Sequence, residues 1–172
     1  MGAGKFVLVI GGARSGKSSF ALKLAESRSG PYRYLATALA LDTEMAERIA
    51  RHKGERDKGW ETVEEPRLAA STLSGLEGGV ALIDCLTLWV TNQIEAGLDD
   101  AGIEAEARIL FKAAAQSGLY VIAVTNEVGL GIVPDNRLAR RFRDLSGTIN
   151  RVAAEAASEV FFLAAGLPMK MK

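Results

Sequence analysis

Short runs of apolar residues recur along the chain, each four or five residues long. They are Phe6–Ile10, Tyr32–Leu35, Val80–Ile83, Tyr120–Val124 and Val160–Leu163. Most of these runs are continuously apolar and do not alternate with polar residues. That pattern is typical of strands covered on both faces, as in a parallel sheet.

Segments with helical periodicity separate these runs. In the last of them the apolar residues alternate steps of four and three and so form one stripe: Leu138, Phe142, Leu145, Ile149, Val152 and Ala156. This stripe predicts a helix over Pro134–Ser158, with Pro134 in its first turn and Gly147 as a weak point inside it. The other predicted helices run from Lys17 to the breaker pair Gly30-Pro31, and over Thr43–Lys53, Arg67–Leu76, Leu86–Glu95 and Ile103–Ser117. We expect Thr43 to cap the second helix.

The alternation of strands and helices predicts an α/β fold in three layers, with a mostly parallel central sheet and right-handed crossovers. No repeat or long linker divides the chain, so residues 1–172 are expected to form a single domain. The polar segment Gly54–Lys58 is predicted to be a loop.

Composition narrows the possible partners and the compartment. Lys plus Arg and Asp plus Glu both total 21, so the formal net charge is zero, which argues against a nucleic-acid partner. Cys85 is the only cysteine, which excludes an intrachain disulfide and favours a reducing compartment. No apolar run is long enough for a membrane span. These features predict a cytoplasmic protein.

The sequence GGARSGKS at residues 11–18 contains the strongest chemical signal in the chain. It matches the spacing Gly-x-x-x-x-Gly-Lys-Ser in full, with a predicted strand before it and a helix after it. Glycines let backbone N–H groups turn toward phosphate oxygens, and the positive end of the helix adds to the attraction. Lys17 would reach the terminal phosphates, and the Ser18 hydroxyl would bind Mg²⁺. We therefore predict a P-loop NTPase-like fold with a nucleotide site at this loop.

Asp84 ends the third apolar run and has two interpretations. A carboxylate at the carboxyl end of a buried parallel strand is placed to hold Mg²⁺ beside a P-loop. The same residue could instead cap the following helix. The P-loop upstream favours the metal site.

His52 is the only histidine, and it also has two interpretations. Met45, Ile49 and His52 share one helical face, so His52 could simply pack on an apolar seam. If the enzyme forms a covalent nucleotide intermediate, His52 is the favoured nucleophile. An unperturbed imidazole is about three-quarters neutral at pH 7, whereas freeing a lysine amine costs about 4–5 kcal/mol. Cys85 is predicted to be buried and unreactive, because Asp84 beside it would raise the pKa of its thiol.

Four segments together resemble the bifunctional adenosylcobinamide kinase / adenosylcobinamide-phosphate guanylyltransferase family. They are GGARSGKS, EMAERIARHK (44–53), IDCLTLWVTN (83–92) and VTNEVGLGIVPDNRLARRFRDLSGTIN (124–150). The resemblance implies phosphorylation of adenosylcobinamide at its aminopropanol hydroxyl. It also implies transfer of GMP from GTP to that phosphate through a guanylylated histidine, here His52. ATP or GTP could supply the first phosphate.

The resemblance also implies a set of site residues, with His52 and Lys17 as the catalytic pair. The implied nucleotide-binding positions are Gly11, Gly12, Ala13, Arg14, Ser15, Gly16, Lys17, Ser18, Ala36, Thr37, Ala38, Lys53, Gly54, Glu55, Arg56, Glu64 and Asp84. Ser18 and Asp84 are the implied Mg²⁺ ligands. Ala38 stands where the family often has Ser. The family forms trimers, so a homotrimer is expected.

Two further features precede or begin the last helix. Asn126-Glu127 follows a strand at the sheet edge where ligands bind, so a role toward the substrate is predicted. Several arginines crowd the start of the helix: Arg137, Arg140, Arg141 and Arg143. An ordinary solvated face with ion pairs is the favoured interpretation, and contact with substrate phosphate is the alternative.

Two other functions compete with the two-reaction enzyme. One is a plain P-loop kinase for a small molecule, in which His52 is structural. The other is a nucleotide-dependent switch, for which we would expect appended interaction segments that this chain does not show.

Overall fold

A computed structural model describes residues 5–40, 42–54 and 59–172, without the side chains of Glu44, Arg48, Arg51 and His52. The strands are β1 Lys5–Gly11, β2 Tyr32–Ala36, β3 Trp60–Glu64, β4 Val80–Asp84, β5 Tyr120–Asn126, β6 Glu159–Ala164 and β7 Leu167–Lys170. The helices are α1 Lys17–Glu26, α2 Thr43–Gly54, α3 Ala69–Ser74, α4 Leu86–Glu95, α5 Asp100–Gln116 and α6 Arg137–Ala156. All five predicted strands and all six predicted helices are present, with ends that shift by a few residues.

The described strands form one sheet in the order β3-β2-β4-β5-β1-β6-β7. Every neighbouring pair is parallel except β6 and β7, which are antiparallel. The predicted, mostly parallel α/β architecture is therefore confirmed. This order puts β5 between β4 and β1, so the ends of these three strands lie side by side.

Apolar side chains cover both faces of the sheet, as the continuous runs predicted. Phe6 and Leu8 of β1 point into a core that includes residues of α3, α4, α5 and α6. Val7 and Val9 point to the other face, into a core shared with α1. Burial on both faces explains why the sequence of β1 does not alternate.

The structure adds two strands that the pattern did not predict, β3 and β7. Both lie at the edges of the sheet. In β3 the residues are exposed or half-buried, and every residue of β7 is exposed. An edge strand buries little apolar surface and so leaves a weak pattern; Pro168 in β7 is also tolerated mainly at edges.

The predicted cap of α2 and the predicted start of α6 were wrong, because other residues cap these helices. In α2, Oδ1 of Asp42 accepts a hydrogen bond from Met45 N at 2.7 Å, so Asp42 is the cap and Thr43 is the first helical residue. In α6, Oδ1 of Asn136 accepts hydrogen bonds from the second and third helical N–H groups. Pro134 therefore precedes the cap and does not lie in the first turn. Among the described helices, none is long and apolar enough to cross a membrane.

Candidate active site

The P-loop connects the end of β1 to the start of α1, and its glycines are required by geometry. A Cβ added at Gly11 would lie 2.5 Å from Leu163 O and 2.8 Å from Ser15 Oγ. Gly16 caps α1 with a φ of +91°, a backbone conformation that favours glycine. The loop is thus pressed against β6 and turned into the first N–H groups of α1, which is the arrangement that binds phosphate.

Lys17 and Ser15 supply polar atoms inside this loop. Lys17 is buried, and its Nζ donates a hydrogen bond to Gly12 O at 2.6 Å. The lysine therefore curves back over the loop and holds its positive charge where phosphates would lie. Ser15 Oγ is buried and has no hydrogen-bond partner among the described residues.

Asp84 ends β4, and a tyrosine hydroxyl orients its carboxylate. Tyr34, buried in the neighbouring strand β2, donates from its hydroxyl to Oδ2 of Asp84 at 2.7 Å. Cys85, not Asp84, occupies the N-cap position of α4, and no side chain caps that helix. The interpretation of Asp84 as a helix cap is therefore wrong.

A cleft of about 870 Å³ opens at the carboxyl edge of the sheet and joins these features. Lining residues come from the P-loop and α1, from β2 and β4, from α2, and from the end of β5. They are Ala13, Arg14, Ser15, Gly16, Lys17, Ser18, Ser19, Tyr34, Ala36, Ala38, Met45, Glu47, Ile49, Lys53, Asp84, Cys85, Leu88, Val124, Asn126, Glu127 and Val128. Most of the predicted P-loop residues thus share one cleft with Asp84.

Helix α2 forms one wall of the cleft. Met45, Ile49 and Lys53 line it, and these positions recur every four residues along one face of the helix. His52 lies in α2, three residues after Ile49, and its side chain is outside the described part of the chain. Glu55 and Arg56 also lie outside the described residues, as does the rest of the predicted loop after Gly54.

An ion pair connects the end of α2 to β3. Lys53 Nζ donates to Glu64 Oε1 at 2.9 Å, and both side chains are largely exposed. The hydrogen bond and the charge of Lys53 lower the pKa of Glu64. Lys53 lines the cleft, whereas Glu64 is not among its lining residues, so Glu64 acts on the cleft by positioning Lys53.

The segment Ala36-Thr37-Ala38 contributes two residues to the cleft wall and one residue that supports it from behind. Ala36 and Ala38 line the cleft, but Thr37 is fully buried. Thr37 Oγ1 accepts from Cys85 N at 2.7 Å and donates to Cys85 O at 2.9 Å. The Thr37 hydroxyl therefore fixes the chain immediately after Asp84.

Cys85 is buried and unreactive, as predicted. Burial is the main cause that raises the pKa of its thiol to about 11, and the charge of Asp84 adds to the shift. Its Sγ lies 3.0 Å from Thr87 Oγ1. The thiol stays protonated at neutral pH, so it is a poor nucleophile.

The end of β5 supplies polar groups between Asp84 and the P-loop. Asn126, Glu127 and Val128 line the cleft. Asn126 Nδ2 donates to Thr87 Oγ1 at 2.9 Å, and Glu127 N donates to Gly11 O at 2.9 Å. The predicted placement of Asn126-Glu127 at the carboxyl edge of the sheet is confirmed.

The arginines of α6 form the ion pairs and hydrogen bonds of an ordinary helix surface. Arg141 pairs with Asp100 at 2.7 Å, and Arg143 pairs with Asp144 at 2.8 Å. Arg140 donates to Pro134 O and Asp135 O, so it supports the turn before the helix. None of these arginines lines the cleft.

Sequence reasoning missed the cleft contributions of Tyr34, Glu47 and Leu88. A strand tyrosine and a helical glutamate carry no motif, so only tertiary placement reveals them. The positions of Met45 and Ile49 on the face of His52 could have indicated that this face meets the cleft.

Comparison with known proteins identifies relatives over almost the full length. The family model described as "Cobinamide kinase / cobinamide phosphate guanyltransferase" matches residues 7–171. The bifunctional adenosylcobalamin biosynthesis protein CobP of Pseudomonas aeruginosa is 43% identical over 167 residues, which cover 96% of each chain. The corresponding protein CobU of Escherichia coli is 40% identical and covers 96% of this chain and 99% of its own.

Solved structures with much lower identity share the fold. A KaiC-like protein of Pyrococcus horikoshii is 15% identical and matches 93% of this chain and 71% of its own, with a TM-score of 0.53. An ATPase from the type III secretion system of pathogenic bacteria is 11% identical and matches 99% of this chain and 57% of its own, with a TM-score of 0.61. These likenesses confirm the predicted α/β fold class.

Proposed function

This chain belongs to the cobinamide kinase / cobinamide phosphate guanyltransferase family, and from that premise we propose that it performs two reactions in one cleft. The first phosphorylates the aminopropanol hydroxyl of adenosylcobinamide, with ATP or GTP as donor. The second transfers GMP from GTP to that phosphate and releases pyrophosphate. The observation that carries this proposal is that the P-loop, Asp84 and one face of α2 line the same cleft.

The P-loop side of the cleft suits phosphoryl transfer. That reaction needs charge neutralisation and alignment more than covalent chemistry. Residues 11–18 would surround the β- and γ-phosphates with backbone N–H groups, and Lys17 would hold the terminal phosphates. Ala36, Ala38 and Lys53, which line the same cleft, would contact the rest of the nucleotide. Gly54, Glu55 and Arg56 complete the proposed nucleotide site, and Thr37 and Glu64 support it through Cys85 and Lys53.

Ser18 and Asp84 would hold Mg²⁺ together with phosphate oxygens. Both line the cleft, and a hydroxyl with a carboxylate is a donor set that Mg²⁺ accepts when substrate phosphates supply further oxygens. Within the described residues no three His, Cys, Asp or Glu side chains cluster, which fits an ion that arrives with its nucleotide. The ion would neutralise negative charge on the transferring phosphoryl group.

The α2 side of the cleft suits guanylyl transfer, with His52 as the nucleophile. Attack at the α-phosphate needs a group that the P-loop does not contain. Met45, Ile49 and Lys53 line the cleft, and position 52 lies on the same helix within one turn of Ile49. A neutral imidazole there would attack the α-phosphorus, release pyrophosphate and pass GMP to the corrinoid phosphate.

The family resemblance further supports a homotrimer, which sedimentation equilibrium would measure directly.

Product analysis tests this function. The enzyme is incubated with adenosylcobinamide, Mg²⁺, ATP and GTP. The corrinoid products are then separated, and their masses are measured by mass spectrometry. We expect adenosylcobinamide phosphate first and adenosylcobinamide-GDP afterwards. Accumulation of the phosphate alone, with GTP present, would indicate a plain kinase instead.

The variant Lys17→Ala should lose the first reaction. Removing a group that stabilises transferring charge typically costs about 10²–10³ in rate. The matched control is Lys112→Ala, an exposed lysine on α5 away from the cleft. Near-normal phosphorylation by Lys17→Ala would remove the P-loop lysine from the mechanism.

A further inference from the structure

Of the two proposed reactions, only the first must remove a hydroxyl proton from its acceptor. Phosphorylation of an alcohol must remove the hydroxyl proton of the acceptor. The acceptor in guanylyl transfer is a phosphate monoester, which is mostly deprotonated at pH 7 because its second pKa is about 6. A base is therefore needed for the kinase step only. We propose that Glu127 is the catalytic base that accepts this proton, an inference that rests on the proposed function.

The backbone of Glu127 is tied to the start of the P-loop. Glu127 follows β5, which lies between the strand of Asp84 and the strand that leads into the loop. Its N–H donates to Gly11 O at 2.9 Å, and its side chain lines the cleft. Glu127 is thus held on the wall between the proposed metal ligand and the phosphate-binding loop, where the terminal phosphate would meet its acceptor.

The side chain of Glu127 is oriented with one oxygen occupied. Oε1 accepts a hydrogen bond from Gly129 N at 2.5 Å. A Cβ added at residue 129 would lie 3.0 Å from this oxygen, so glycine there permits the close turn. With Oε1 held by the backbone, Oε2 is the atom available to the substrate hydroxyl.

The other carboxylates that line the cleft fit this role less well. Only Glu47, Asp84 and Glu127 do so among the described residues. Asp84 accepts a hydrogen bond from Tyr34 and is the proposed Mg²⁺ ligand. Glu47 is exposed on α2, the helix of the proposed guanylyl nucleophile. Glu127 alone combines a fixed backbone, an oriented side chain and a place beside the P-loop.

The proposed phosphoryl transfer moves one proton to Glu127. The aminopropanol oxygen forms a bond to the γ-phosphorus as its O–H bond breaks, and the proton passes to Oε2 of Glu127. The bond from the γ-phosphorus to the bridging oxygen breaks, and its electron pair leaves with the nucleoside diphosphate. Glu127 then releases the proton to water.

Glu127→Gln tests the proposal, because glutamine keeps the shape and the acceptor for Gly129 N but cannot take a proton. We expect the kcat for phosphorylation of adenosylcobinamide to fall by roughly 10²–10⁴, the usual contribution of a general base. GMP transfer from GTP to preformed adenosylcobinamide phosphate should stay within about threefold of the wild type, since that step transfers no hydroxyl proton. Glu106→Gln, an exposed carboxylate on α5, serves as the control for both assays.

Three results would overturn this assignment. Equal losses in both reactions would mean that Glu127 only supports the fold of the cleft. Unchanged phosphorylation would mean that it takes no proton. A selective loss of phosphorylation in Glu47→Gln, with Glu127→Gln active, would transfer the role to Glu47. Failure of the proposed function itself is distinct, because wild-type enzyme would then lack one of the two reactions.

Discussion

A single hydrogen bond sets the orientation of the carboxylate that is proposed to hold Mg²⁺. Tyr34 donates to Oδ2 of Asp84, and Asp84 lines the cleft. Thr37 fixes the next residue through both backbone groups of Cys85. The carboxylate is therefore positioned before any ion arrives, and the proposed metal site depends on the Tyr34 hydroxyl that orients Asp84.

Tyr34→Phe should weaken the use of Mg²⁺ without unfolding the protein. The ring still fills its buried site and packs against Trp60, while the hydrogen bond to Asp84 is lost. A hydrogen bond to a charged group contributes about 1.5 kcal/mol or more, so the Mg²⁺ concentration for half-maximal phosphorylation should rise by about tenfold.

The control for that titration is Tyr32→Phe in the same strand. The hydroxyl of Tyr32 donates to Arg28 O, away from the metal site. An equal change in both variants, or none in Tyr34→Phe, would mean that the phenol does not position the metal ligand.

Residue chemistry in the sequence identified the P-loop, Asp84 and the inert thiol of Cys85, because each depends on its local neighbours. It could not find Tyr34, whose partner lies 50 residues away. Thr37 is a second residue whose role the sequence could not predict. The family resemblance placed it in the nucleotide site, but only the fold shows that its hydroxyl forms hydrogen bonds with the backbone of Cys85.

Helix α6 contains a glycine, Gly147, that lowers its stability. This glycine lies inside a 20-residue helix, it is exposed, and an added Cβ would meet nothing within 4 Å. Glycine in a helix interior costs about 0.5–1 kcal/mol relative to alanine, mainly through the entropy of the unfolded chain.

Gly147→Ala should therefore raise the free energy of unfolding by about 0.5–1 kcal/mol. Urea denaturation followed by circular dichroism measures the change, and both enzymatic rates should be unaffected. A comparison is Asn136→Ala, which removes the cap of the same helix and should lower stability by about 1 kcal/mol. Lower stability in Gly147→Ala would show that the helix does not tolerate a side chain at this position.

The elements that the sequence predicted correctly are those whose burial leaves a pattern. Strand β1 is apolar on both faces and was found, whereas β7 is wholly exposed and was not. Helix caps were predicted less well, since a cap is a hydrogen bond rather than a periodicity. Asp42 caps α2 in place of the expected Thr43, and Asn136 caps α6 after Pro134, which was expected in the first turn.

At the scale of the molecule, strand order brings distant residues to one edge. Parallel strands all end on the same side, so β4 and β5 present Asp84 and Glu127 beside the loop that follows β1. Helix α2 encloses this edge with Met45, Ile49 and Lys53. Spacing along the chain could not predict that a helix beginning 25 residues after Ser18 forms a wall of the cleft.

The fate of one phosphorus atom tests this arrangement. If His52 is the nucleophile, it must attack the α-phosphate of a nucleotide held by the P-loop. Wild-type enzyme is incubated with Mg²⁺ and GTP labelled at either the α- or the γ-phosphate, and protein-bound label is counted after denaturation.

We expect acid-labile protein labelling from α-labelled GTP, with none from γ-labelled GTP and none in the variant His52→Ala. Lys112→Ala should be labelled like the wild type. Label that persists in His52→Ala, or label that derives from the γ-phosphate, would contradict a guanylylated His52.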